Sequence, residues 1–315
     1  MVKRISYKLI CFLLAVTFAT VFSGCRKENQ VSENNNSITF TDALKRKVVL
    51  KEKPRRVAAL IGSFADVWVL SGGELVAAAE DAWEDFGIES DAVSIGGAHS
   101  PSLELLLSAN PDFVIASAST SSNIEMQTAL ENVGITVAYF DVDNFEDYLG
   151  MLDICTDITG RKDLYEKNGL EIQSRIEKIK TEFNSKNIPE SRRKVLLLRA
   201  SSSSVKAKNS QGTVLGEMLK SLGCINIADS QSGLLENLSI ENIIKNEPYH
   251  IFVVSMGDAQ KAEKNLKSLM NGNPAWGKLK AVKEERFHIM ESRLFNLKPN
   301  DDWAVAYEKL CKILQ

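Results

Sequence analysis

Glu104 and Glu241 occupy matched places in two copies of one pattern. Ser102-Leu103-Glu104 runs through Pro111 into Phe113-Val114-Ile115-Ala116-Ser117, and Ser239-Ile240-Glu241 runs through Pro248 into Ile251-Phe252-Val253-Val254-Ser255. With the glutamates superposed the offset is 137 (241 − 104), and the serines, the aliphatic pairs Leu106/Leu107 and Ile243/Ile244, and the prolines coincide. Each copy reads as a capped helix, a proline break and a buried strand. A carboxylate in the first turn of a helix gains about 0.3–1 kcal/mol from the helix dipole, which accounts for one such glutamate. Two at matched places point to two similar lobes and to a pair of negative docking points for a two-fold partner.

The cations and aromatics suggest binding rather than catalysis. Arg199 and Arg293 fall at or just past the ends of predicted strands in the second half, where open α/β sheets bind ligands, and arginine there suits an anion. Ser63 and Phe64 follow a strand end in the first half, and Trp83 and Phe295 lie in or beside loops of the same class. The rings suit stacking on a flat or bulky ligand, with core packing an equal alternative for each. His99, in the loop Gly96-Gly97-Ala98-His99-Ser100-Pro101, reads as a ligand contact or a surface loop residue. His250 and His288 flank or sit in strands and read as structural. The three share no metal-ligand spacing, so neither a resident metal nor a cofactor is expected. Gly272 to Leu279 fits a phosphate loop only in outline: Leu279 stands where the magnesium-binding hydroxyl belongs, and no strand precedes it. With no dinucleotide-binding glycine pattern after a strand and no nucleophile elbow, no enzyme is expected.

The elements that position these residues alternate. In the first half, strands are expected at Lys47–Leu50, Val57–Ile61, Leu75–Ala79, Phe113–Ser117 and Thr136–Phe140. Helices follow Gly62 and Ser102 and cover Thr128–Val133, giving a parallel sheet covered on both faces. From Phe145 to Lys186 the pattern stays helical, and Leu164, Leu170, Ile172, Ile176, Ile179 and Phe183 form an apolar stripe. A stretch such as 163–185 would be about 34 Å long, either a connecting backbone helix between two halves or a surface helix of one domain. Gly160 and Gly169 are candidate interruptions. The second half restarts with a strand at Val195–Leu198, a Ser201–Ser204 loop and a helix from Gly212 to Gly223 that matches Gly62–Gly73 at an offset of 150. After the second repeat copy come a helix start at Pro274, a strand at Arg286–Met290 and a last helix from Asp302 to Leu314. The expected organisation is 1–24 signal peptide, 25–37 anchor and tether, 38–145 first lobe, 146–188 linking helical segment and 189–315 second lobe.

The N-terminal end carries an export pattern. Lys3, Arg4 and Lys8 precede an apolar run from Leu9 to Phe22, too short to span a bilayer. Val21-Phe22-Ser23-Gly24-Cys25 resembles the lipobox of bacterial lipoproteins, with Phe22 in place of the usual leucine; it implies lipidation of Cys25. Ordinary secretion is the alternative. Residues 26–37 contain one apolar residue, Val31, and read as a flexible tether. Removing 1–24 deletes three cations and no acid, so the formal charge goes from −3 to −6, and no basic tract argues for nucleic acid. Cys155, Cys224 and Cys311 allow one disulfide and a free thiol, or three buried thiols.

Several of these segments together resemble one family. Thr41-Asp42-Ala43-Leu44, Arg46, Val48, Leu50 and Pro54-Arg55-Arg56-Val57 resemble the opening of substrate-binding lipoproteins of iron-siderophore, haem and cobalamin ABC importers, with Lys45 where that opening usually has glycine. Asn110 to Ile115, Leu219 to Asp229 and Pro274 to Phe287 resemble later motifs of the same family. The resemblance implies two Rossmann-like lobes with mainly parallel sheets, one long bridging helix and a ligand cleft between the lobes. It implies that Glu104 and Glu241 dock on the two permease subunits, and that an ATPase elsewhere supplies the energy. The expected function is an extracytoplasmic receptor, lipid-anchored to the bacterial cell membrane on its outer face or periplasmic side. It would capture a ferric siderophore or haem. A cobalamin or free-metal receptor, an exported α/β enzyme and a sensory or adhesive lipoprotein are the alternatives.

Overall fold

A computed structural model describes residues 37–315; the signal segment, Cys25 and the tether as far as residue 36 lie outside the described residues. The chain opens with an antiparallel hairpin, β1 (Ile38–Thr41) and β2 (Lys47–Leu50). Its turn is built on Asp42, whose carboxylate accepts from the backbone N–H of Arg46 (2.9 Å) and from the Arg46 guanidinium (2.9 and 2.7 Å). Lys45 has φ 63°, the left-handed conformation that glycine takes most readily. The departure from the family opening therefore falls where backbone strain is felt.

Two sheets follow. The first has the order β5-β4-β3-β6-β7, all parallel: β3 is Val57–Ala59, β4 Leu75–Ala78, β5 Val93–Ser94, β6 Phe113–Ser117 and β7 Thr136–Phe140. The second has the order β10-β8-β11-β12, also parallel: β8 is Lys194–Ala200, β10 Ile225–Asn226, β11 His250–Ser255 and β12 Phe287–Met290. An added strand, β9 (Val205–Lys208), pairs antiparallel with β8. It occupies the segment just after the predicted serine loop.

The repeat holds in detail. Helices Leu103–Ser108 and Ile240–Asn246 are capped by Ser102 and Ser239, whose hydroxyls accept from the N–H groups of Leu105 and Asn242. Both runs end on a left-handed residue one before the proline, Asn110 (φ 49°) and Glu247 (φ 43°). The strands then start at Phe113 and His250, still 137 apart, and lie second or third from the edge of their sheets. The other repeat needs a correction. Helix Gly62–Leu70 is followed by left-handed Gly72, and helix Val214–Ser221 by left-handed Gly223, so the offset at the helix end is 151 (223 − 72), not 150.

The linking segment is two helical runs. Phe145–Thr159 starts in a capping box from Asn144 and Asp147 and stops at left-handed Gly160. Lys162–Tyr165, a π-turn over Glu166–Leu170 and Glu171–Ser185 then run on without a break. That second run, 162–185, is about 36 Å long at 1.5 Å per residue. Gly169 sits inside the π-turn and does not end the helix.

One apolar core joins both sheets. It contains Ala59, Ile115 and Phe140 from the first, Val195, Leu197, Phe252 and Val254 from the second, Ile172, Ile176 and Phe183 from the linking helix, and Trp303 and Tyr307 from the last helix, Trp303–Ile313. The outer face of each sheet has its own core. The lobes are therefore joined by shared hydrophobic burial as well as by the helix.

Candidate functional site

Chain segments leaving the carboxyl ends of the two sheets meet between the lobes. From the first lobe come Ser63 and Asp66 on helix Gly62–Leu70, Phe86 after the short helix Asp81–Glu84, and Asp141 and Asp143 just past β7. From the second come Arg199 near the end of β8, Lys206 and Lys208 on β9, and Arg293, Lys298 and Asn300 beyond β12. The first wall carries acids; the second carries these cations, with Asp301 and Asp302 beside Arg293.

Arg199 stands on the face of β8 that also carries Leu197, a member of the shared core. In the antiparallel register Arg199 lies opposite Lys206, and Leu197 opposite Lys208. Directly opposed residues share a face, so three cations gather on the second-lobe side. Among the described residues, buried Arg199 Nε has no hydrogen-bond partner. Burial pushes the Arg199 guanidinium below the ordinary arginine range, against the opposing pull of Asp143. Burial, then Arg199 and Lys206, pushes Lys208 down as well. A half-buried guanidinium with a buried, unbonded Nε beside two lysines is an incomplete anion site.

Arg293 is differently placed. Its Nη1 donates to the carbonyls of Lys298 and Pro299, both at 3.0 Å. Nη2 lies 3.8 Å from Asp66 and 3.9 Å from Asp302, and the guanidinium sits 4.3 Å from the centre of the Phe86 ring. Asn300 Nδ2 donates to the Ser63 carbonyl at 2.8 Å and to Asp66 Oδ2 at 2.7 Å. Burial, more than any neighbour, raises the Asp66 carboxyl to about 6.

The remaining predicted site residues scatter. Phe64 and Phe295 are 2% and 3% exposed and belong to the shared core. Phe64 meets Phe140 edge-on at 6.3 Å. Neither ring is presented to a ligand in this conformation, because the apolar faces of the lobes close over both. Ser63 is buried too and takes part through its carbonyl. Trp83 is half-buried, its indole N–H donating to the Ser90 carbonyl at 3.3 Å. His99 is exposed on its loop, close enough to Asp81 to lower that buried carboxyl against the larger upward push of burial. Glu104 and Glu241 are both exposed. Asp66, Phe86, Asp143, Lys206, Lys208, Lys298 and Asn300 were not anticipated. Val205-Lys206-Ala207-Lys208 carries a visible signal, the period-two alternation of a half-buried strand. The others become neighbours only through the packing of the two lobes.

Among the described residues no group of three or more His, Cys, Asp or Glu could hold a metal ion, and no helix is long and apolar enough to cross a membrane. Cys155, Cys224 and Cys311 are free thiols.

Residues 57–294 match the family model described as periplasmic binding protein. The chain belongs to that family. This binding protein is 24% identical over 296 residues to the "Fe(3+)-citrate-binding protein YfmC" of Bacillus subtilis (strain 168), with 89% of each chain covered. It is 24% identical over 306 residues to the "Iron-uptake system-binding protein" of the same organism, covering 91% of this chain and 90% of the relative. Among solved structures it resembles S. aureus IsdE complexed with heme: TM-score 0.67, 18% identity, 82% of this chain and 98% of that one. It also resembles Staphylococcus aureus SirA complexed with staphyloferrin B: TM-score 0.64, 20% identity, 88% and 97% covered. The likeness to these structures establishes the fold of the binding protein, two lobes with parallel sheets. The family is one of binding proteins, not of enzymes.

Proposed function

We propose that this chain is the extracytoplasmic receptor of an ABC importer and captures an anionic iron chelate, a ferric siderophore or haem, between its lobes. The observation that carries the reading is Arg199: a half-buried guanidinium whose buried Nε has no partner among the described residues, flanked by Lys206 and Lys208 on the cleft-side face of β8 and β9. Such a group is stabilised when a ligand carboxylate or catecholate supplies the missing acceptor. The names of the two Bacillus subtilis relatives point the same way. A corrinoid, with less negative charge to offer, makes poorer use of this face. The absence of a three-ligand cluster among the described residues counts against a free-metal site.

Bound ligand raises the melting temperature by mass action, so a thermal-shift series with ferric citrate, ferric catecholates, haem and cobalamin tests the reading. A shift with one of the iron chelates supports it. A shift with cobalamin alone, or with none of the four, overturns it.

Glu104 and Glu241 are the proposed contacts to the permease pair, one on each lobe, at the start of equivalently capped helices. Replacing both by alanine is expected to leave ligand affinity unchanged and to lower uptake in cells; normal uptake would remove the docking assignment. Lipidation of Cys25 completes the proposal, with the anchor on the outer or periplasmic side of the bacterial membrane. Mass spectrometry of the mature N-terminus tests it, and an unmodified terminus excludes it.

A further inference from the structure

Arg293 is held from both lobes. Two backbone carbonyls of its own lobe hold Nη1, and Nη2 forms an ion pair at 3.8 Å with Asp66 on the other lobe, with Asp302 of its own lobe at 3.9 Å. Its guanidinium lies over Phe86, also of the other lobe. Asn300 is fully buried with φ 56°, and its amide nitrogen spends both hydrogens across the gap, on Ser63 and Asp66. A second tie runs beside it, Lys298 Nζ to Asp143 Oδ1 at 3.5 Å. These contacts need no ligand, and they are directional: the guanidinium must lie over the ring face, and the asparagine requires both acceptors at once.

We infer that Asp66, Phe86, Arg293 and Asn300 form an interlobe latch that sets the width of the cleft before a ligand enters, with Arg293 a positioning residue and not a ligand contact. The inference goes beyond the proposed function, since the latch acts on the empty protein whatever chelate it carries. Its physical consequence is preorganisation. A cleft already held at its working width spares the ligand the cost of ordering two lobes. Loosening the latch lowers the fraction of binding-competent protein and weakens all ligands by the same factor, about tenfold if that fraction drops to one tenth. Removing a direct anion contact would instead weaken anionic ligands selectively.

The test is the distance between spin labels carried on an unnatural amino acid at Glu125 and Gln260 of the full-length chain. Both are exposed, and each lies on the helix that follows the repeat strand of its lobe, β6 or β11. Without ligand, the parent protein is expected to give one narrow distance distribution. Arg293→Ala is expected to broaden it and lengthen its mean, and Arg293→Lys, which keeps the charge but loses the fork and the stack, to fall between. Phe86→Leu removes the stacked ring and leaves every charge in place; it should broaden the distribution less than Arg293→Ala. A parent-like narrow distribution in both Arg293→Ala and Phe86→Leu overturns the latch, and Phe86→Leu alone decides if Arg293→Ala does not fold. The readout needs no ligand, so it stands or falls separately from the chelate assignment. If ferric citrate binds the parent, an unchanged distance with a selective loss of citrate affinity in Arg293→Ala would make Arg293 a ligand contact and also overturn the latch.

Discussion

At the scale of single residues, the molecule separates arginines that look alike in sequence. Arg199 and Arg293 both fall near strand ends in the second lobe, yet Arg293 is engaged on three sides and Arg199 Nε has no partner among the described residues. A buried polar group left unbonded costs about 1–3 kcal/mol. Arg199→Met keeps much of the side-chain length and removes that penalty. The expected outcome is a ligand-free melting temperature raised by about 2 °C. Affinity for the anionic ligand should fall by about 30-fold or more, since truncating one side of a buried charge pair costs about 2–5 kcal/mol. Calorimetric melting and fluorescence titration measure the two. A lowered melting temperature with unchanged affinity would mean that Arg199 serves the fold.

At the scale of elements, the duplicated helix starts make a paired prediction. Ser102 and Ser239 accept from backbone N–H groups three residues on, both at 3.3 Å. Removing an N-cap hydroxyl typically costs about 1 kcal/mol, so Ser102→Ala and Ser239→Ala should each lower unfolding free energy by about that amount in urea titrations. Ser239 also donates to Glu241 at 3.0 Å, so its replacement additionally frees the proposed docking carboxylate. Costs near zero at both positions would reduce the repeat to a similarity of pattern. The strands, caps and breaks of this repeat were legible in the sequence because they are local: serine before an aliphatic run, proline after a left-handed residue, apolar strands at fixed distance. Strand β7 and the linking run, 162–185, were legible for the same reason. Strand β9 alternates visibly over Val205-Lys206-Ala207-Lys208, but four residues after a serine run are too few to separate a strand from a loop. The cleft was read least well. Phe64 and Phe295 follow strand ends in sequence, but which face their rings occupy depends on how two lobes, more than 200 residues apart along the chain (295 − 64 = 231), close on one core.

At the scale of the whole molecule, opposing titrations act on one fold. Asp66, on the first lobe, is raised from 3.8 to about 6, chiefly by burial, and Asp301 is raised too. Between those two values the folded protein holds a proton on Asp66 that the unfolded chain has released. Stability from this group is therefore present at low pH and lost as pH rises from about 4 to about 6, by about 3 kcal/mol. His250, in the second lobe, works the other way. Burial, then His288 and Arg286, lower it from 6.5 to about 4, and its Nδ1 lies 3.0 Å from His288 Nε2. The unfolded chain takes up that proton first, so this contribution is present above about 6.5 and is lost as pH falls toward 4. In the parent protein the two slopes oppose each other over the same window. Asp66→Asn keeps an acceptor for Asn300 and removes the titration. Its stability relative to the parent should therefore improve as pH rises from 4 to 7, by about 3 kcal/mol over the window. Urea unfolding of both proteins at pH 4, 5, 6 and 7 measures the gap. A gap that stays constant would mean that Asp66 ionises at its ordinary value and that water reaches the joint between the lobes.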